Sequence, residues 1–175
     1  MRFNQIRTRK VVIIALLVGL GLVLHLVENM LPLSFIIPGA KLGLANIANL
    51  LGLILFGFIA GLQILLLRIF LGSILAGTFM TINFYLSLSG GILGYLIMSL
   101  FFYYFRNKFS IIGVSLGGAV FHNIGQIFTA YLIISNDAIF YYLPYLVLLA
   151  LPTGVGIGLV VIFTYNYLPR ELKRI

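Results

Sequence analysis

The chain has 175 residues, 62% of them hydrophobic and only 8% charged, with a mean hydropathy of +1.20. A soluble domain is about 45–50% apolar and about a quarter charged, so this composition excludes an ordinary water-soluble fold and makes lipid the solvent for most side chains. The net charge of +8 does not point to nucleic acid, because nine of the eleven basic residues sit in three groups that flank apolar runs: Arg2, Arg7, Arg9 and Lys10; Arg106 and Lys108; Arg170, Lys173 and Arg174. That is the pattern of the positive-inside rule.

A spanning helix uses roughly 20 residues to cross about 30 Å of hydrocarbon, so six crossings nearly exhaust the chain. The expected organisation is all-α: one integral membrane domain over residues 1–175, with six transmembrane helices and both termini cytoplasmic. Such a chain leaves no room for a soluble catalytic or nucleotide-binding domain, and with no cysteine it carries no disulfide or thiolate metal site.

The first apolar run, 11–31, is longer than the hydrophobic part of a secretory signal and lacks a small-residue cleavage pattern, which makes it a retained helix. Ala15 and Gly19 stand four apart on it, a spacing that serves either packing within the bundle or docking of another subunit; because the polar residues of this helix lie largely elsewhere around it, this is the face assigned to docking. His25 and Glu28 share one face near its far end. An outer loop follows at 32–40, and a second span is expected at 41–58, opened by Lys41. Two roles are open for Glu28: an ion pair with Lys41 that closes the loop, or a solute contact.

The third span, 62–79, follows a bend at 57–61 and carries Arg68 near its middle, too deep for easy snorkelling. It therefore serves either as a clamp on interior polar groups or as a contact to an anionic ligand. After a bend at 77–83 the fourth span runs over 84–105. The fifth, 111–134, carries His122, Asn123, Gln126 and Thr129, with His122, Gln126 and Thr129 on one face. Asn46 and Asn49 on the second helix are its candidate partners. A loop at 135–142 leads to the last span, 143–167. Four crossings between the first two basic groups and two between the last pair put all three groups on one side.

The carboxylates are Glu28, Asp137 and Glu171, widely separated in sequence. Magnesium-dependent diphosphate chemistry and hydrolytic acid–base pairs need carboxylates close together, so no catalytic residue and no metal site is assigned. Neither a Walker-type loop nor a nucleophile elbow is present, and the chain is not read as an enzyme.

The segment PGAKLGLANIANL at 38–50 resembles the family called heptaprenyl diphosphate synthase component I, or Gx transporter family. Further elements agree in order: RIFLGSILAG at 68–77, SLSGG at 87–91, GAVFHNIGQ at 118–126, YLP at 142–144 and TG at 153–154. That family is similar to the S components of energy-coupling factor (ECF) transporters. The resemblance implies a six-helix bundle in a bacterial cytoplasmic membrane that captures a small vitamin-like, isoprenoid or quinone-precursor solute from outside and topples in the bilayer to release it. It also implies docking, through the small residues of the first helix, on a transmembrane T subunit driven by two ATPases; ATP is then used by those partners, and this chain carries no cofactor. Under that reading Glu28, Lys41, Asn46 and Arg68 line or support the solute site together with His122, Asn123 and Gln126, and Tyr85 and Tyr142 serve as aromatic walls. Basic residues facing the pocket would favour an anionic solute. The alternatives are a membrane component of polyprenyl diphosphate synthesis, as the family label has it, and a structural subunit of a redox or quinone complex.

Overall fold

The computed structural model describes residues 2–30, 42–105, 107–169 and 172. Six α-helices follow one another: α1 Arg2–Met30, α2 Asn46–Phe56, α3 Phe58–Leu75, α4 Ile82–Tyr104, α5 Ile111–Ile134 and α6 Leu143–Tyr167, with a short 3-10 helix, Asp137–Tyr142, before α6. All but α2 are long and apolar enough to cross a membrane. Their outward faces carry exposed Leu16 and Val23 on α1, Phe70 on α3, Phe128 on α5 and Phe163 on α6. Apolar surface of that extent on every side of the bundle is compatible with lipid and not with water. The chain is a multi-pass, all-α membrane protein.

The chain forms two helix groups that meet along α2. Helix α1 packs on α2 and α3, α5 lies between α4 and α6, and α2 reaches α4 and α6 as well as its sequence neighbours. As the central element α2 is dry: every residue from Asn46 to Leu53 is buried. At 1.5 Å per residue its eleven residues make about 16 Å, roughly half the hydrocarbon thickness. Of the expected 41–58 span, Asn46–Phe56 forms α2, while 42–45 precede the helix and Phe58 already belongs to α3. Glycines set both limits. Gly43 adopts φ +76° and Gly57 φ +85°, in the left-handed region that a side chain disfavours. Gly57 alone turns the chain from α2 into α3, so the bend expected over 57–61 is a single residue and Gly61 lies inside α3.

That turn is held from α4. The Phe58 N–H donates to Tyr103 Oη at 3.1 Å, and Tyr95 Oη donates to the Phe58 carbonyl at 2.6 Å. Tyr95 is fully buried, and Gly61 leaves the space its ring occupies: a methyl there would lie 2.3 Å from Tyr95 Oη. Lys10 stands over the Phe56 ring at this same end, and Lys108 over Phe105. Arg9, Lys10 and Lys108 thus share the end where α1 starts, α2 ends and α4 ends. The other end carries the termini of α1 and α3, the start of α2 and the 3-10 helix.

On the far side α6 approaches α5 through glycine. A methyl at Gly158 would lie 2.7 Å from Ile112 Cα, and one at Gly154 2.9 Å from Leu116 Cα, so the backbones meet where lipid gives no hydrophobic drive for association. Between α4 and α5, Gly90, Gly94 and Gly125 do the same.

Candidate functional site

The buried polar residues gather where α2 begins. In its first turns a helix has N–H groups without intrahelical partners, and in hydrocarbon each such group costs several kcal/mol if unmet. The Gly43 N–H, just ahead of α2, donates to a Glu28 carboxylate oxygen on α1. Glu28 is buried, and the positive end of α2 favours an anion at this place. Gly43 itself accepts from Asn46 N–H at 2.9 Å, closing the turn that starts the helix.

Arg68 reaches this turn from α3. Its Nη2 donates to Asn46 Oδ1 and its Nε to Asn49 Oδ1, both at 3.2 Å, and Asn49 Nδ2 donates to Asn46 Oδ1 at 3.1 Å. The Asn46 and Asn49 side chains, three apart on one face, therefore form a two-point cradle for one guanidinium. Glu28 supplies the opposite charge acting on it. The stem of Arg68 passes Gly21 of α1, where a methyl would lie 3.0 Å from Arg68 Cδ. One turn of α3 further on, Gly72 accommodates the His25 ring, 2.9 Å from where a methyl would be. His25 and Glu28 thus point into the contact of α1 with α2 and α3, as their shared face implied.

The second part of the centre is on α5. His122 Nε2 and Gln126 Nε2 lie 3.1 Å apart, and both residues are buried. The His122 ring bridges the two helix groups: its Cδ2 is 3.7 Å from a methyl placed on Gly43, and its Cε1 is 3.2 Å from one placed on Gly90 of α4. Gly43 therefore stands between the α1 carboxylate, to which its N–H donates, and the α5 imidazole, which a methyl at Gly43 would meet.

Asn123 points elsewhere. Its Nδ2 donates to the Leu146 carbonyl at 2.7 Å, tying α5 to the start of α6. Tyr85 is exposed near the start of α4 with its hydroxyl 3.4 Å from Met80 Sδ, and Tyr142 is exposed at the end of the 3-10 helix. Lys41, and with it the Glu28–Lys41 ion pair and the loop at 32–40, lies outside the described residues. Ala15 is exposed, and a methyl added at Gly19 would meet nothing within 4 Å, so this face of α1 is open.

The structure therefore brings Glu28, Asn46, Arg68, His122 and Gln126 together, and separates Asn123, Tyr85 and Tyr142 from them. Asn46 and Asn49 serve Arg68 rather than pairing with the polar face of α5. Gly43 was absent from the candidates, although the LG step between Lys41 and the ANIANL run is where a glycine would begin a helix. Among the described residues no three His, Cys, Asp or Glu side chains stand together as a metal site would require.

An all-α bundle with lipid-compatible faces and a dry polar centre at the head of a half-length helix defines a polytopic membrane protein built around a buried polar site. Within that class, the model of the heptaprenyl diphosphate synthase component I family matches residues 17–164, most of the chain, and the protein belongs to that family. No curated protein and no solved structure matches it.

Proposed function

We propose that this chain is the substrate-capturing S component of an ECF-type uptake transporter in a bacterial cytoplasmic membrane. The observation that carries the reading is the start of α2. Here Glu28, Asn46, Arg68, His122 and Gln126, from four helices, are gathered in the interior of a bundle whose helices are outwardly apolar along their spans. Ionisable groups inside a membrane cost several kcal/mol, and in membrane proteins they mark solute or ion pathways. At about half the length of a span, α2 resembles the half-helices whose positive ends transporters turn toward a solute, which supports the reading.

The open Ala15–Gly19 face of α1 supports docking on a T subunit, since close helix contact in lipid needs small residues free of intramolecular partners. ATP would be consumed by two ATPase partners and not by this chain. Purification of the full chain from native membranes in mild detergent tests the reading: the T subunit and two ATPases are expected with it. Recovery of the chain without them, in preparations where other membrane complexes stay whole, overturns it.

The family description supports a second reading, in which the chain is a membrane component of heptaprenyl diphosphate synthesis. That reading predicts co-purification with a soluble prenyl transferase subunit, and magnesium-dependent formation of long-chain prenyl diphosphate that requires this chain.

A further inference from the structure

The two parts of the polar centre differ in what they have left to offer a solute. Among the described residues the charges around Arg68 balance. The guanidinium donates to Asn46 and Asn49, and Glu28 supplies one negative charge for its one positive charge. A phosphate or carboxylate entering here would place a second anion beside Glu28 with no second buried lysine or arginine among the described residues. Interior electrostatics are weakly screened, so that arrangement is strongly disfavoured.

On α5 the balance is different. Gln126 is 98% buried by its 2% exposure, its Nε2 is engaged with His122, and its Oε1 has no hydrogen-bond partner among the described residues. Neighbouring polar side chains are already satisfied within the bundle. Asn123 donates to Leu146, Ser87 Oγ to the Asn83 carbonyl at 2.8 Å, and Ser89 Oγ to the Gly125 carbonyl at 3.2 Å. Ser115 Oγ is also buried without a partner, but it lies about three turns away on α5, toward the basic end. Among the described residues beside α2, then, the amide of Gln126 offers a buried acceptor, Oε1, with a hydrogen bond still to make, and it is neutral.

We infer that the His122–Gln126 pair is the solute-reading element of this site and that it takes an uncharged hydrogen-bonding head group, a hydroxyl or a carboxamide, while Arg68 and Glu28 hold the helices and do not touch solute. The inference rests on the transporter reading and narrows it: the anionic solute suggested by basic residues alone is replaced by a neutral one. A hydroxyl or carboxamide can donate a hydrogen bond to Gln126 Oε1 and adds no charge beside Glu28. A buried group left unmatched by the wrong head group is the strongest source of such discrimination.

The test uses full-length protein purified from native membranes as wild type, Gln126→Met and Ser115→Ala, with molecules released on denaturation quantified per mole of protein by mass spectrometry. Wild type and Ser115→Ala are expected to release the same uncharged molecule bearing a hydroxyl or amide. Gln126→Met should retain at least about tenfold less, equivalent to about 1.4 kcal/mol, with its helical circular dichroism unchanged. Gln126→Glu, which keeps size and adds charge, gives the same loss and serves if the methionine variant does not fold. A released molecule carrying phosphate or carboxylate, equal retention by the folded Gln126 variants, or no molecule released from wild type overturns the inference. An anionic molecule recovered together with the T subunit and ATPases would defeat this inference and leave the transporter reading standing. A neutral molecule held by a chain that brings no such subunits would do the reverse.

Discussion

Replacing Arg68 with methionine, which keeps most of its unbranched stem, removes the only positive charge facing Glu28 in the described interior and leaves Asn49 Oδ1 without its donor. Asn46 Oδ1 loses one of two donors and keeps the bond from Asn49 Nδ2. Breaking a buried charge pair from one side costs about 3–5 kcal/mol, of which an orphaned amide oxygen accounts for about 1–3 kcal/mol. For a chain of this length 1 kcal/mol moves Tm by about 2–4 °C, so Arg68→Met should lower it by about 10 °C. Adding Glu28→Gln should restore roughly half of that loss. The amide carbonyl still accepts from Gly43 N–H, the uncompensated charge is gone, and only the Asn49 acceptor stays unmet. Because the chain has no tryptophan and no cysteine, intrinsic tryptophan fluorescence and thiol-reactive dyes have nothing to report. Far-UV circular dichroism of detergent-solubilised protein follows unfolding instead. A double variant no more stable than Arg68→Met would show that the two charges are not coupled, and the account of Arg68 as a clamp would fail.

Other positions make independent demands. Gly43→Ala forces a side chain into φ +76° and sets its methyl 2.8 Å from Asn46 Nδ2, so a loss of about 2 kcal/mol in the same melting assay is expected. Gly61→Ala drives a methyl to 2.3 Å from Tyr95 Oη in a fully buried contact and should cost about 1–3 kcal/mol, whereas Tyr95→Phe, which only removes the bond to the Phe58 carbonyl, should cost about 1 kcal/mol. Ala15→Leu with Gly19→Leu meets open space and should leave Tm unchanged, while abolishing recovery of the T subunit and ATPases from native membranes; an intact complex would refute the docking face.

The helices were legible because lipid imposes one requirement on every span. The expected 111–134 and 143–167 coincide with α5 and α6, where the side chains of Ser110 and Asn136 accept backbone N–H groups at segment starts and Pro144 falls in the first turn of α6. Hydropathy sees apolar content and not conformation, which is why α1 continues as helix through its basic start to Arg2, and why Leu42, Leu44 and Ala45 were drawn into the second span. The backbone at Gly43 and Gly57 decides the limits of α2, and a glycine in an apolar run does not announce which φ it will take.

For the site, cost was legible and partnership was not. That Arg68 in mid-span must be buried against polar groups follows from lipid alone, and so does the interior placement of Glu28 and of the α5 face. Which of those groups meet depends on where α2 begins. Had α2 started at Lys41, Asn46 would lie more than a turn inside the helix, its N–H spent on the helix ladder instead of closing the turn on the Gly43 carbonyl. Because the helix begins instead at Asn46, Glu28 takes the N–H of Gly43, Arg68 takes Asn46 and Asn49, and His122 closes on Gly43 from the opposite helix group. Among the described residues the charges of Arg68 and Glu28 thereby offset each other, and Gln126 Oε1 keeps a hydrogen bond to accept. A count of basic residues predicts an anion for this site; the register of one short helix predicts a neutral guest.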